Sequence, residues 1–152
     1  MTAPKVSILI PAYNQPDYLR YALDSIARQT FRNFEVIITD DSDDNSILSV
    51  TDEFSGVLSI KYFKNPVRKG SPDNWNEAIT RSSGQYLKFL HHDDWFTDED
   101  SLQTYVRALD DNPQADIAFS CTNVCDTYHT IMFTHCPKER ELFRLRKNPA
   151  NL

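Results

Sequence analysis

The chain has 152 residues, 40% hydrophobic and 12% aromatic, enough for one compact core and enough to exclude global disorder. Sixteen Lys and Arg against 22 Asp and Glu leave a net charge of −6, a field that repels phosphate backbones, so no nucleic-acid partner is expected. Apolar runs are only a few residues long and Met1-Thr-Ala-Pro-Lys has no signal-peptide character, so neither a transmembrane segment nor a leader is expected. Three cysteines, Cys121, Cys125 and Cys136, are an odd count in a chain with its own core. They predict no disulfide scaffold and a reducing compartment: the cytoplasm, free or at the cytoplasmic membrane face.

Val6 to Pro11 is a β-branched apolar run that reads as a strand buried on both faces. After the turn Ala12-Tyr-Asn-Gln, Pro16 opens a helix whose inward face is Leu19, Ala22, Leu23 and Ile26. Phe34 to Thr39 is a second buried strand, ending in Asp40-Asp41. A short helix follows with Ile47, Val50, Thr51 and Phe54 inward and Gly56 at its C-cap, then a third strand over Ser59 to Phe63. Ser71-Pro72 reads as the cap and first turn of a helix with an inward stripe of Trp75, Ala78, Ile79 and Ser82, closed by Gly84.

Tyr86 to Leu90 is a fourth strand, ending in His91-His92-Asp93-Asp94. Thr97 then reads as the cap of a helix with Asp98, Glu99 and Asp100 in its first turn and Leu102, Tyr105, Val106 and Leu109 buried. Asp116 to Val124 is expected as a fifth strand. Strand–helix alternation with short polar joints predicts an α/β fold, a mostly parallel sheet with helices on both faces. Beyond Thr130 the pattern weakens. Residues 138–152 carry five Lys and Arg and two Glu, read as a solvated end or as a helix docked through Leu142 and Leu145.

Polar residues gather where strands end. In a parallel sheet those carboxyl ends share one edge, the edge at which ligands bind. Four carboxylates there, Asp40, Asp41, Asp93 and Asp94, repel one another unless a cation or bound donors compensate. Asp93-Asp94 suits a hard divalent cation, Mg²⁺ or Mn²⁺, which would bridge an acidic protein to an anionic diphosphate. Asp40 or Asp41 suits hydrogen bonds from a base or ribose.

The stretches VSILIPAYNQPDYLRYALDSIARQTFRNFEVIITDDSDDNS and NPVRKGSPDNWNEAITRSSGQYLKFLHHDDW resemble the nucleotide-binding half of family 2 glycosyltransferases. The likeness covers about residues 4–125 and includes an aspartate pair in place of the family's metal-binding motif. It implies a GT-A fold, an inverting transferase, a nucleotide-diphosphate sugar as donor and a glycan, lipid or protein hydroxyl as acceptor. Position by position, it implies that Pro11, Ala12 and Tyr13 line the base pocket, with Tyr13 packing on the base. Asp41 and Asp40 hydrogen-bond the base, and Arg68 to Asn76, including Lys69 and Asn76, border the ribose and diphosphate. Asp93 holds the metal, with Asp94 beside it. His91 and His92 stand where the family often has an acid; a neutral His92 donates to ribose or binds the metal directly.

Other readings of these residues stay open. Asp40 to Asn45 also fits a plain turn and cap, and Asp93 to Thr97 an acidic loop before a helix. Trp75 and Trp95 read as packing residues rather than sugar platforms. Cys121, Cys125, His129, His135 and Cys136 lack the tight ligand pairs of a zinc site. A phosphate-responsive signalling domain would need a lysine after strand five, and Cys121 to Asp126 offers none.

The family's catalytic base lies beyond the aspartate motif. Only about thirty residues follow the fifth strand, and the carboxylates among them, Asp126, Glu139 and Glu141, sit in no recognisable motif, so none is named as base. The expected organisation is a nucleotide-sugar-binding domain over 1–130 and a tail over 131–152, which is also read as the start of a truncated acceptor region. The chain is then a transferase fragment or a non-catalytic nucleotide-sugar-binding module.

Overall fold

The computed structural model describes residues 3–137; Glu139, Glu141, Leu142 and Leu145 lie outside them. Strands β1 (Val6–Ala12), β2 (Phe34–Asp40), β3 (Ile60–Lys64) and β4 (Tyr86–Phe89) form one parallel sheet in the order β3-β2-β1-β4. Val6↔Phe34 through Ala12↔Asp40 and Asp40↔Lys64 bring the ends of β1, β2 and β3 level. β1 also pairs β4, Val6↔Tyr86 through Leu9↔Phe89, so the strand order reverses beside β1. Such a switch point opens a crevice at the carboxyl ends.

Alternation along β1 and β2 divides the core. Ile8, Ile10, Val36 and Ile38 face Leu19, Leu23 and Ile26 of α1 (Pro16–Ala27), Ile47 and Val50 of α2 (Ser46–Glu53), and Leu102 and Val106 of α4 (Ser101–Asp110). Leu9 and Ile37 face the other way, onto Ala78 of α3 (Asp73–Arg81), with Phe63 and Phe89 packed alongside. Both central strands are therefore buried on both faces, and each Ile or Leu withdrawn from water contributes about 1.5–3 kcal/mol.

Several local expectations are corrected. Gly56 does not cap α2, which closes at Phe54 in the right-handed conformation. α3 begins at Asp73, with Pro72 at the cap position and no side-chain cap bond. Its buried face is Asn74 and Ala78, leaving Trp75 38% and Ile79 40% exposed. The helix is turned because the Asn74 carboxamide bonds backbone groups at the sheet edge. Gly84 closes no helix; it sits against β1, where an added Cβ would lie 2.5 Å from the Ser7 nitrogen.

α4 begins at Ser101, so Asp98 to Asp100 precede it. The buried Gln29 side chain holds that approach, donating to the Asp98 carbonyl and accepting from the Leu102 N–H, both at 2.8 Å.

The described residues form two compact units that divide at Arg107/Ala108, upstream of the 130/131 boundary expected from the sequence pattern. In the second unit the expected parallel fifth strand is replaced by a hairpin: β5 (Thr122–Cys125) pairs antiparallel with β6 (Ile131–His135). Asp126 makes its turn, with Oδ1 accepting from the N–H groups of Tyr128 and Thr130 at 2.9 Å. Because Thr122 faces His135, the flanking Cys121 and Cys136 are opposed and joined as a disulfide. This corrects the expectation of unpaired cysteines and leaves Cys125 free. Among the described residues no helix is long and apolar enough to cross a membrane.

Candidate functional site

At the carboxyl edge the ends of β1, β2 and β3 and the first turn of α3 are joined by buried polar groups. Asp40 is fully buried: Oδ1 accepts from the Ser42 N–H at 2.8 Å, and Oδ2 from the Tyr62 hydroxyl at 2.6 Å and Lys64 Nζ at 3.0 Å. Burial of the ring, then its hydrogen bond to Asp40 and the charge of that carboxylate, push the Tyr62 phenol up. Asp41 is 4% exposed; Oδ1 accepts from Asn65 Nδ2 at 2.6 Å and the Lys69 N–H at 3.2 Å, and Oδ2 from the Gly70 N–H at 2.7 Å. A carboxylate accepts about four hydrogen bonds, so Asp41 keeps room for one more.

Asn74 Nδ2 donates to the Thr39 carbonyl at 3.0 Å and, more weakly, to that of Ala12 at 3.4 Å, while its Oδ1 accepts from Asn65 Nδ2 at 2.8 Å. Asn65 and Asn74 are thus the linchpins of this edge, and sequence reasoning singled out neither. The Asn65-Pro66 pair after a strand was the available signal for Asn65. Gly70 takes φ +72°, where a side chain would be strained, and so lets the loop turn back onto Asp41.

Pro11 and Ala12 are buried and Tyr13 is half-buried. Asn14 and Gln15, at φ 55° and 57°, are left-handed, an unusual pair for non-glycine residues and one concentrated at functional sites. The Asn14 N–H donates to Ser42 Oγ at 2.7 Å, fixing the bend that presents Tyr13. The Arg68 guanidinium lies over the Tyr13 ring, 4.0 Å from its centroid. Lys69 is paired with Glu77 at 2.6 Å, and Asn76 is exposed.

On the other side of β1, the Leu90 N–H extends the β4 ladder to the Leu9 carbonyl. The Asp94 N–H then bonds the His91 carbonyl at 3.0 Å and turns the chain. His91 packs on Trp75 with ring centroids 4.8 Å apart, and Trp95 on Tyr21 at 6.5 Å. Trp75 is therefore a rim residue rather than part of the inward stripe. His92 Nε2 is buried without a hydrogen-bond partner among the described residues. Asp94 is pushed up, first by desolvation and then by the Asp93 charge. Among the described residues no group of three or more His, Cys, Asp or Glu side chains is placed to hold a metal ion.

Fold and site together define a parallel α/β domain whose switch point at the carboxyl edge is bordered by a tyrosine, a polar network and an acidic turn. The chain belongs to glycosyl transferase family 2, whose family model matches residues 7–150. Glycosyltransferase GlyA of Streptococcus pneumoniae is 31% identical over 114 residues, 75% of this chain and 16% of that protein. S. aureus TarS, solved with UDP-GlcNAc, superposes with TM-score 0.66 at 23% identity, over 80% of this chain and 40% of its own. The mannosyltransferase PcManGT of Pyrobaculum calidifontis, solved with GDP-Man and Mn²⁺, gives TM-score 0.66 at 21% identity, over 82% and 36%. The GT-A-like parallel sheet is thereby established, and the chain spans well under half the length of each of these proteins.

Proposed function

We propose that this chain is the donor-binding part of an inverting glycosyltransferase. It holds a nucleotide-diphosphate sugar across the ends of β1, β2 and β4 for transfer to a glycan, lipid or protein hydroxyl. The observation that carries this reading is the placement of Tyr13, at the switch point, between the Asp41–Asn65–Asn74 network and the His92–Asp94 turn. TarS with UDP-GlcNAc and PcManGT with GDP-Man support it as neighbours in fold.

Pro11 and Ala12 form the floor for the base and Tyr13 its stacking face. The remaining acceptor position of Asp41 takes a base N–H, while Asp40, fully enclosed, positions the strand ends. The segment from Arg68 to Asn76, Lys69 included, borders the ribose and diphosphate. The acceptor hydroxyl attacks the anomeric carbon from the face opposite the departing diphosphate. Residues 1–130 would carry the donor, with the following segment leading toward the acceptor side.

The donor set fits a divalent metal. Asp93 and Asp94 are adjacent hard oxygen ligands whose charges repel, offset only in part by His91, Lys88 and His92. A Mg²⁺ or Mn²⁺ ion is commonly held by one or two carboxylates plus substrate phosphates, so fewer than three protein ligands suffice. Asp93 would hold it with Asp94 beside it, and when bound it would neutralise charge on the diphosphate. His92, which does not join Asp93 and Asp94 in a three-ligand group, would bond the ribose.

Asp126 Oδ1 is held in the hairpin turn and no catalytic base is assigned, so a non-catalytic binding module is the second reading. Calorimetry against UDP-GlcNAc, GDP-Man and related donors, in Mn²⁺ and in EDTA, tests donor binding. Absence of binding to every donor would overturn the proposal. Donor hydrolysis or transfer by the binding-competent chain supports the transferase, whereas metal-dependent binding without turnover supports the module.

A further inference from the structure

Two lysines at the candidate site are committed: Lys64 pairs with Asp40 at 3.0 Å and Lys69 with Glu77 at 2.6 Å. Arg68 differs. Its side chain is exposed, has no carboxylate partner among the described residues, and lies over the Tyr13 ring, 4.0 Å from the centroid. The backbone beneath it is anchored, because the next two residues, Lys69 and Gly70, both donate their N–H groups to Asp41. Tyr13 is anchored too, by the left-handed Asn14-Gln15 bend and the Asn14–Ser42 bond. A free guanidinium on a fixed loop therefore covers a fixed aromatic face.

We propose that Arg68 is a two-position donor-binding residue. With the nucleotide site empty its guanidinium covers Tyr13; when the base takes that face, the guanidinium moves to the donor's diphosphate. This inference rests on the donor reading of the same site. The exchange is downhill, since an exposed cation–π contact is weak and a guanidinium forked onto phosphate oxygens is among the stronger charge-assisted contacts. Unlike Lys64 and Lys69, Arg68 can meet a diphosphate without breaking an ion pair among the described residues. It therefore makes the site prefer a nucleoside diphosphate over a bare nucleoside.

A purely structural arginine and a shuttling one differ in sign. In the full chain with Mg²⁺, calorimetry would use uridine and UDP, and guanosine and GDP. Arg68→Ala removes a competitor for the Tyr13 face, so the nucleoside should bind about threefold more tightly. It also removes the phosphate partner, so the diphosphate should bind about 20-fold more weakly. Arg68→Lys, which keeps charge but not the fork, should fall between wild type and alanine for the diphosphate. By NMR the Arg68 Nε–Hε signal should be shifted by the Tyr13 ring current in the free protein, lose that shift in Tyr13→Leu, and lose it again on saturation with the diphosphate.

Nucleoside and diphosphate affinities moving in the same direction, or neither moving, would overturn the inference while leaving the donor reading intact. Wild-type chain binding none of the four probes would overturn both. An Arg68 signal unaffected by Tyr13→Leu would overturn the covered state by itself.

Discussion

Asn65 donates its side-chain N–H to Asp41 Oδ1 over 2.6 Å, a buried bond that ties the end of β3 to the end of β2. The same Nδ2 group reaches Asn74 Oδ1 at 2.8 Å, so one carboxamide connects two strands and a helix. Asn65→Ala would leave the buried Asn74 Oδ1 without a donor and Asp41 Oδ1 with the Lys69 N–H alone. An unsatisfied buried acceptor costs about 1–3 kcal/mol, so a loss of that size is expected in urea unfolding. Nucleotide affinity should fall with it, because Asp41 anchors the loop carrying Arg68. Stability within about 0.5 kcal/mol of wild type would refute this role.

At the opposite, amino-terminal side of the sheet, Glu35 sits in register with Ser7. Its Oε1 accepts from Ser7 Oγ at 2.7 Å and from the Ser83 N–H and Oγ at 2.9 and 2.8 Å, while Oε2 accepts from Lys61 at 2.7 Å. Burial alone would raise this carboxyl, but Lys61 and the serine donors outweigh it and hold it at about 2. A carboxyl lowered on folding stabilises the native state above its unfolded value, near 4.5, and loses that stabilisation as pH falls toward 2. The stability gap between wild type and Glu35→Gln should therefore be largest at neutral pH, on the order of 2–3 kcal/mol, and close between about pH 4.5 and 2. A gap independent of pH over that range would show that the charged network is not the source.

Gly84 is required for closeness rather than for backbone freedom. A Cβ there would meet the Ser7 nitrogen at 2.5 Å, the Val6 carbonyl carbon at 2.7 Å and Ser7 Oγ at 2.8 Å, two of them backbone atoms that cannot turn aside. Gly84→Ala should cost about 1–3 kcal/mol in thermal or urea unfolding, in the range of overpacked cores. Gly70→Ala meets open space and should act instead through its φ of +72°, loosening the loop over Asp41. A Gly84→Ala variant as stable as wild type would contradict the close approach of this turn to β1.

The sheet was legible because hydrophobicity carries it. Val6–Ala12 and Phe34–Asp40 are buried on both faces, and such strands leave a continuous apolar signature. The α1 stripe of Leu19, Ala22, Leu23 and Ile26 follows the helical period and lies inward as expected. α3 misled for a physical reason: its inward face holds Asn74, whose burial depends on carbonyls of residues 35 and 62 positions away in sequence. No local periodicity encodes a partner that distant.

The hairpin was missed likewise. β5 and β6 are short, and the Cys121–Cys136 link depends on a register that appears only once the Asp126 turn is formed. At the site, the acids at the strand ends were visible by position. What sequence did not reveal is that Asp40 and Asp41 are occupied by Ser42, Tyr62, Lys64, Asn65 and loop N–H groups, leaving Asp93 and Asp94 as the strand-end acids without such partners among the described residues.

That contrast puts the weight of the account on Asp93. The decisive measurement is calorimetric titration of wild type and Asp93→Ala with a nucleotide-diphosphate sugar that wild type binds, each in Mn²⁺ and in EDTA, with circular dichroism confirming both folds. The expected result is that Mn²⁺ strengthens donor binding to wild type and leaves Asp93→Ala at its EDTA affinity. An Asp93→Ala chain that binds the donor in Mn²⁺ as tightly as wild type would contradict the assignment of the acidic turn to the donor's metal.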